Sequence, residues 1–212
     1  MNPCCPLGSE FNSKENILYE TDNFFIVPSI GQIGIEGYLL VCSKDHYIGI
    51  GGMPEEYQSE LEDVLMTTRN VLSSYYNSEV LVFEHGPRIG CHRGGGCLDH
   101  SHLHILPISV NLMEPLVIKF LHGIQIDDFY KLERVEDFKR LNDIYGKQES
   151  SYLFIETVDL KRYVTEVNFI IPSQYLRQIV AHTLGRMDRW DWRTKPDYET
   201  FETTVINLKG KF

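Results

Sequence analysis

The chain has 212 residues, of which 42% are hydrophobic, 12% aromatic and 24% charged, enough for one globular domain with a real core and an appended part. Lys and Arg number 20 against 30 Asp and Glu, a net charge of −10, which argues against general affinity for a nucleic-acid backbone and leaves room for a small phosphorylated ligand in a local donor pocket. No apolar run approaches a membrane span, no basic n-region or apolar h-region opens the sequence, and the five cysteines (Cys4, Cys5, Cys42, Cys91, Cys97) are odd in number. The expectation is a cytoplasmic protein with reduced thiols and no membrane partner.

In chain order, residues 17–20 and 24–27 flank the turn dipeptide Asp22-Asn23 and predict a hairpin. The nearly continuous apolar run 38–42 suits a central strand. Pro54 opens a predicted helix to about Asn77. Glu55, Glu56 and Glu60 sit near its start, and Tyr57, Leu61, Val64, Leu65, Thr68, Val71, Leu72 and Tyr75 recur at helical spacing. Residues 80–83 predict the next strand, ending in Glu84-His85-Gly86, and a loop over 87–99 follows. Beyond Ser109 the spacing predicts short helices over 115–121 and 135–144, the second stopped by Gly146. A late hairpin of 152–156 with 162–164 turns at Val158-Asp159. A helix over 174–184 is capped by Ser173 and closed by Gly185, and a last one starts at Pro196. No linker composition separates 110–212, so this part reads as an extension packed on the first.

The chemistry concentrates in His100-Ser101-His102-Leu103-His104-Ile105-Leu106-Pro107. Extended, this segment places His100, His102 and His104 on one face, roughly 6.5 Å apart, with Leu103 and Ile105 towards a core. Pro107 is expected to stop ladder pairing soon afterwards. Such a triad can chelate a metal with a further ligand, or present a neutral imidazole as a nucleophile at phosphorus. The entering loop Gly94-Gly95-Gly96-Cys97 favours the second, because glycines let backbone N–H groups approach an anion. His85, His92, Arg88 and Arg93 are read as loop residues, able to meet phosphate or simply solvated. His122 and His182 read as satisfied surface or core histidines, and Trp190 and Trp192 as packing residues with base stacking as the alternative.

His100-Ser101-His102-Leu103-His104-Ile105-Leu106 resembles the histidine triad (HIT) family, whose signature is His-x-His-x-His followed by two apolar residues. Lys44-Asp45-His46 is similar to the family's Pro-Lys-x-His ending, with Ser43 replacing Pro. Glu84-His85-Gly86 stands where many members have Asn-x-Gly and looks like a bacterial Glu-His-Gly subset. The tail 175–201 has a faint similarity to CwfJ-type relatives. The resemblance implies an α+β fold with a HIT-like antiparallel sheet and helices packed on one face. The catalytic domain would be 1–110, the α/β extension 111–212, and the assembly a homodimer. It also implies a hydrolase or nucleotidyltransferase acting on a nucleoside 5′-phosphate derivative (a phosphoramidate, dinucleoside polyphosphate or nucleotide sugar) through a nucleotidyl-histidine.

In that scheme His102 attacks the α-phosphorus, His104 bonds the phosphate and His100 orients the nucleophile. Gly95, Gly96 and Cys97 offer backbone N–H groups, and Glu84 and Tyr38 line the nucleotide site. Tyr38 replaces a histidine found in many members and cannot carry its charge, while Glu84 is expected to hold His85 or Arg93 rather than substrate. The mechanism requires no cofactor. Zinc stays open through Cys5, His46 and His100, with Cys4 as a helper, because Cys5-Pro6-Leu7-Gly8 lacks the second cysteine of the zinc-binding members. A phosphorylase with the same intermediate, a metal-binding triad module and a non-catalytic nucleotide sensor are the alternatives.

Overall fold

The computed structural model describes residues 14–87, 100–109, 111, 133–147, 150–157, 160–167 and 171–212. The predicted helix 115–121, the loop glycines 94–96 and Cys97, Cys4, Cys5, Cys91, Arg88, His92, Arg93 and His122 lie outside the described residues. Eight strands make one antiparallel sheet. They are β1 (Tyr19–Glu20), β2 (Phe24–Pro28), β3 (Leu39–Ser43), β4 (Glu79–Gly86), β5 (His102–Ile108), β6 (Glu133–Val135), β7 (Ser151–Glu156) and β8 (Arg162–Val167). Their order across the sheet is β1-β2-β3-β5-β4-β7-β8-β6, so the histidine strand β5 runs through the middle between β3 and β4.

Both faces of that central region are buried, which explains why β3 is apolar at consecutive positions rather than alternating. On one face Leu39, Val41, Val82, Leu103 and Ile105 pack beneath α1 (Gln58–Tyr76), which buries Leu61, Val64, Leu65 and Leu72. Asn77 ends α1 in the left-handed region (φ 47°), a conformation that asparagine tolerates. The short helix α2 (Lys139–Asn142) packs on the same side through Leu141. On the opposite face Tyr38, Leu40, Cys42, Leu81, Phe83 and Leu106 meet Leu176, Val180 and Ala181 of α3 (Tyr175–Thr183). The antiparallel sheet carries its expected helix on one face, and the C-terminal part adds a second helix over the other. The last helix, α4 (Tyr198–Leu208), is capped by the Asp197 carboxylate and buries Phe201 and Leu208.

Several local expectations are corrected. Residues 135–144 are not one helix: Val135 ends strand β6, and a π-turn runs through Gly146 (Asp143–Lys147). Pairing of β6 with β8 outweighs the local helical spacing there. Pro107 itself stays in the ladder, opposite Val80, and pairing stops one residue later, as expected, where Glu79 pairs with Ile108, the last residue of β5. The last residue of β5 paired with β3 is Ile105, opposite Leu39, so beyond it the described ladder continues with β4 alone, a setting that tolerates a residue without an N–H. Ser173 does not cap α3; Gln174 occupies the cap position at φ 58° with no side-chain cap bond. At the other end Gly185, at φ 68°, closes α3 as expected. Its N–H reaches the His182 carbonyl, and the Arg186 N–H reaches the Ala181 carbonyl. Among the described residues no helix is long and apolar enough to cross a membrane.

Candidate active site

Strand register brings the site together. Leu40 and Phe83 flank His104 from either side, and Cys42 flanks His102. Side chains alternate along a strand, so His102 and His104 share the face that carries Tyr38, Leu40, Phe83 and Leu106. The two rings stand 4.8 Å apart between centroids, and Phe83 stacks on His104 at 4.5 Å and 20°. His102 is 5% exposed and His104 2%.

The three histidines do not form one row. His100 lies just ahead of β5, where Ser101 N–H donates to the Tyr47 carbonyl. Its Nε2 is 2.7 Å from the Ser43 carbonyl and its ring sits 5.4 Å from that of His46. What reaches His102 is the His100 backbone: His102 Nδ1 donates to that carbonyl at 2.7 Å. The proton is therefore held on Nδ1 and the Nε2 lone pair belongs to the neutral ring. Burial, more than any other cause, holds His102 below the ordinary histidine range; the Arg177 charge acts in the same direction, while Glu84 and the His100 carbonyl oppose it.

Tyr38 joins the site directly, with its hydroxyl 2.9 Å from His104 Nδ1. With the hydroxyl as donor, the His104 proton sits on Nε2, a buried nitrogen that has no hydrogen-bond partner among the described residues. Burial holds His104 well below the usual range, and the charges of His102, Arg177 and His85 add to the effect.

Glu84 does not line the histidine face. Alternation along β4 turns it to the α1 side with Val80 and Val82, where Ile50 N–H donates to Oε1 at 2.8 Å and Tyr152 Oη to Oε2 at 2.6 Å. It therefore holds the turn at Ile50 and Gly51 rather than His85, and the Gly51 N–H bonds the Tyr152 hydroxyl at 2.8 Å; Arg93 lies outside the described residues. Burial raises the carboxyl to about 7.

His85 is a strand residue, not a loop residue, because β7 extends the ladder past it: Leu153 pairs with His85. Its Nε2 accepts the Leu176 N–H at the start of α3 at 2.9 Å, so its proton is on Nδ1. Burial, with the charges of His102 and Arg177, lowers it to about 3. Arg177, fully buried on α3, is the residue that sequence reading missed. Its signal was present: Arg177 stands on the apolar stripe of Leu176, Val180 and Ala181, where a charge is out of place. Its Cζ lies 5.2 Å from the Tyr38 ring centroid. Of the remaining candidates, His182 is exposed on α3, and Trp190 packs at the edge of the same core while its carbonyl accepts from Arg177 Nε at 3.0 Å.

For a metal, His46 and His100 are the described pair, and among the described residues no group of three His, Cys, Asp or Glu could hold an ion. Two imidazoles fall short of the four ligands of a closed zinc site. Chemically, the described arrangement offers a buried neutral imidazole with fixed tautomer, flanked by N–H donors.

No family model and no curated protein matches the chain. Solved structures do. A hypothetical histidine triad nucleotide-binding protein from Sulfolobus tokodaii is 22% identical over 45% of this chain and 61% of its own, with a TM-score of 0.39. The match thus spans under two thirds of that protein's length. A HIT family protein from Bacillus anthracis is 22% identical over 51% of this chain and 74% of its own, with a TM-score of 0.41. A Streptococcus mutans protein is 18% identical over 70% of this chain and 85% of its own, with a TM-score of 0.42.

Proposed function

We propose that this chain is a histidine triad enzyme, a nucleotide hydrolase or nucleotidyltransferase that works through a covalent nucleotidyl-histidine on His102. The observation that carries the reading is the bond from His102 Nδ1 to the His100 carbonyl at 2.7 Å, inside a complete His-x-His-x-His motif. It dedicates Nε2 to nucleophilic attack without prior loss of a proton.

In the first step His102 Nε2 forms a bond to the α-phosphorus while the bond from phosphorus to the leaving group breaks. The leaving group departs with that electron pair and is protonated from solvent. In the second step a water oxygen bonds to phosphorus, the N–P bond breaks and its pair returns to Nε2; the water's protons pass to the product phosphate and to solvent. His104 Nε2–H meets the phosphoryl oxygens, and Tyr38 holds that tautomer from behind. A phosphorylase would share the first step and differ only in its acceptor. The homodimer and the backbone role of Gly95, Gly96 and Cys97 belong to the same proposal.

The test is release of nucleoside monophosphate from phosphoramidates, dinucleoside polyphosphates and nucleotide sugars, by wild type and His102→Ala. Turnover by wild type with near-complete loss in the variant supports the reading. A His102→Ala protein that turns over at the wild-type rate overturns it.

A further inference from the structure

The guanidinium of Arg177 is fully buried and makes no salt bridge among the described residues. Nε donates to the Trp190 carbonyl at 3.0 Å and Nη2 to the Gly31 carbonyl at 2.9 Å, while Nη1 has no hydrogen-bond partner among the described residues. Among the described residues this buried cation is met by two neutral carbonyls and the face of the Tyr38 ring, and no anion balances its charge.

Two further nitrogens without a hydrogen-bond partner among the described residues lie in the same region, His85 Nδ1 and His104 Nε2. Acceptance of the Leu176 N–H at Nε2 makes His85 Nδ1 an N–H donor, and His104 Nε2 is one in the tautomer in which the Tyr38 hydroxyl donates to Nδ1. The rings of His85 and His104 are 6.1 Å apart between centroids, and the Arg177 charge acts on His85, His102 and His104 alike. Three buried donors without an acceptor are complementary to one ligand class, an oxyanion.

The surroundings are shaped to hold the guanidinium there. A side chain at residue 31 would collide with Arg177 Nη2 and Trp192 Cβ, so Gly31 is the clearance that admits the arginine. The Leu176 N–H bond to His85 fastens the start of α3 to β4 at the adjoining residue.

We propose that Arg177, delivered by α3 of the C-terminal part, is a phosphate-binding residue of the His102 site and forms with His85 Nδ1–H and His104 Nε2–H a pocket for phosphoryl oxygens. The role as part of a catalytic centre rests on the His102 reading; the anion pocket itself does not. The C-terminal part is then a component of the site. Its guanidinium supplies the fixed positive charge that neutral histidines cannot.

The experiment titrates inorganic phosphate into the full chain, by calorimetry, for wild type, Arg177→Gln and Arg177→Lys. At least a tenfold loss of affinity is expected in Arg177→Gln, with partial retention in Arg177→Lys. Equal affinity in a folded Arg177→Gln overturns the proposal. Should that variant fail to fold, nitrogen-detected NMR of the wild type decides. Phosphate must shift the Arg177 guanidinium, His85 Nδ1 and His104 Nε2 signals, and phosphate that leaves them unmoved, or does not bind, overturns the proposal. Trapping of a nucleotide on His102 is scored separately. Arg177-dependent phosphate binding without an adduct keeps the pocket and removes the enzymatic reading; an adduct without Arg177-dependent binding does the reverse.

Discussion

Acid should loosen this protein through His85, and the size of the effect follows from how α3 covers it. His85 is buried between β4 and the start of α3, its Nε2 committed to the Leu176 N–H, and its imidazole titrates at about 3 instead of the ordinary 6.5. The unfolded chain binds the proton below pH 6.5 and the fold refuses it down to about 3. The stabilisation is therefore complete above the unfolded value and is lost as pH falls through that window. At about pH 5 the loss from this one group is about 2 kcal/mol, 1.5 units below the unfolded value at ~1.4 kcal/mol each. His85→Gln keeps an oxygen able to accept from the Leu176 N–H and cannot titrate. Urea unfolding at about pH 7.5 and pH 5 should show the variant losing about 2 kcal/mol less than wild type between the two. An identical acid loss in both proteins would refute the claim that α3 seals His85 from water.

Two further perturbations probe the opposite side of the sheet. The Glu84 carboxyl is raised from 4.5 to about 7 by burial, so the fold favours its protonated form, and that contribution to stability is present below pH 4.5 and disappears as pH rises to about 7. Glu84→Gln should remove this component, worth on the order of 3 kcal/mol, which denaturant titration of both proteins across that range measures; parallel curves would contradict it. Gly86→Ala places a methyl group inside the ring of Tyr152, whose hydroxyl bonds Glu84 and the Gly51 N–H. A destabilisation of about 1–3 kcal/mol by urea unfolding is expected from such overpacking.

Much of the N-terminal half was legible because its signals are local. An apolar run marked β3, the alternation of histidines with Leu103 and Ile105 marked β5, and the periodic stripe from Leu61 to Leu72 marked α1. Tyr38 was placed beside the triad through the family resemblance, and it bonds His104. Errors arose where a distant partner decides. His85 looked like the start of a loop because β7, which holds it in the sheet, comes some 70 residues later. Glu84 and His85 exchange their expected surroundings because each strand residue faces opposite its neighbour, and only the ladder tells which face is which. Arg177 belongs to the site through a contact between α3 and the histidine face that no local pattern encodes, although its place on an apolar stripe was visible. His100 illustrates the opposite lesson: its backbone carbonyl touches His102 while its side chain turns to Ser43 and His46, a distinction that spacing alone does not make.

The central claim is that His102 becomes covalently bonded to the nucleotide. The most direct measurement is mass spectrometry of the peptide containing His102 after brief incubation with substrate and an alkaline quench, since an N–P bond to imidazole is acid-labile. The account predicts a nucleoside-monophosphate adduct on His102 in wild type, absent in His102→Ala and reduced in His104→Ala. Turnover at the wild-type rate by the His102→Ala protein, or a wild-type protein that releases nucleotide with no label on that peptide during turnover, would contradict it.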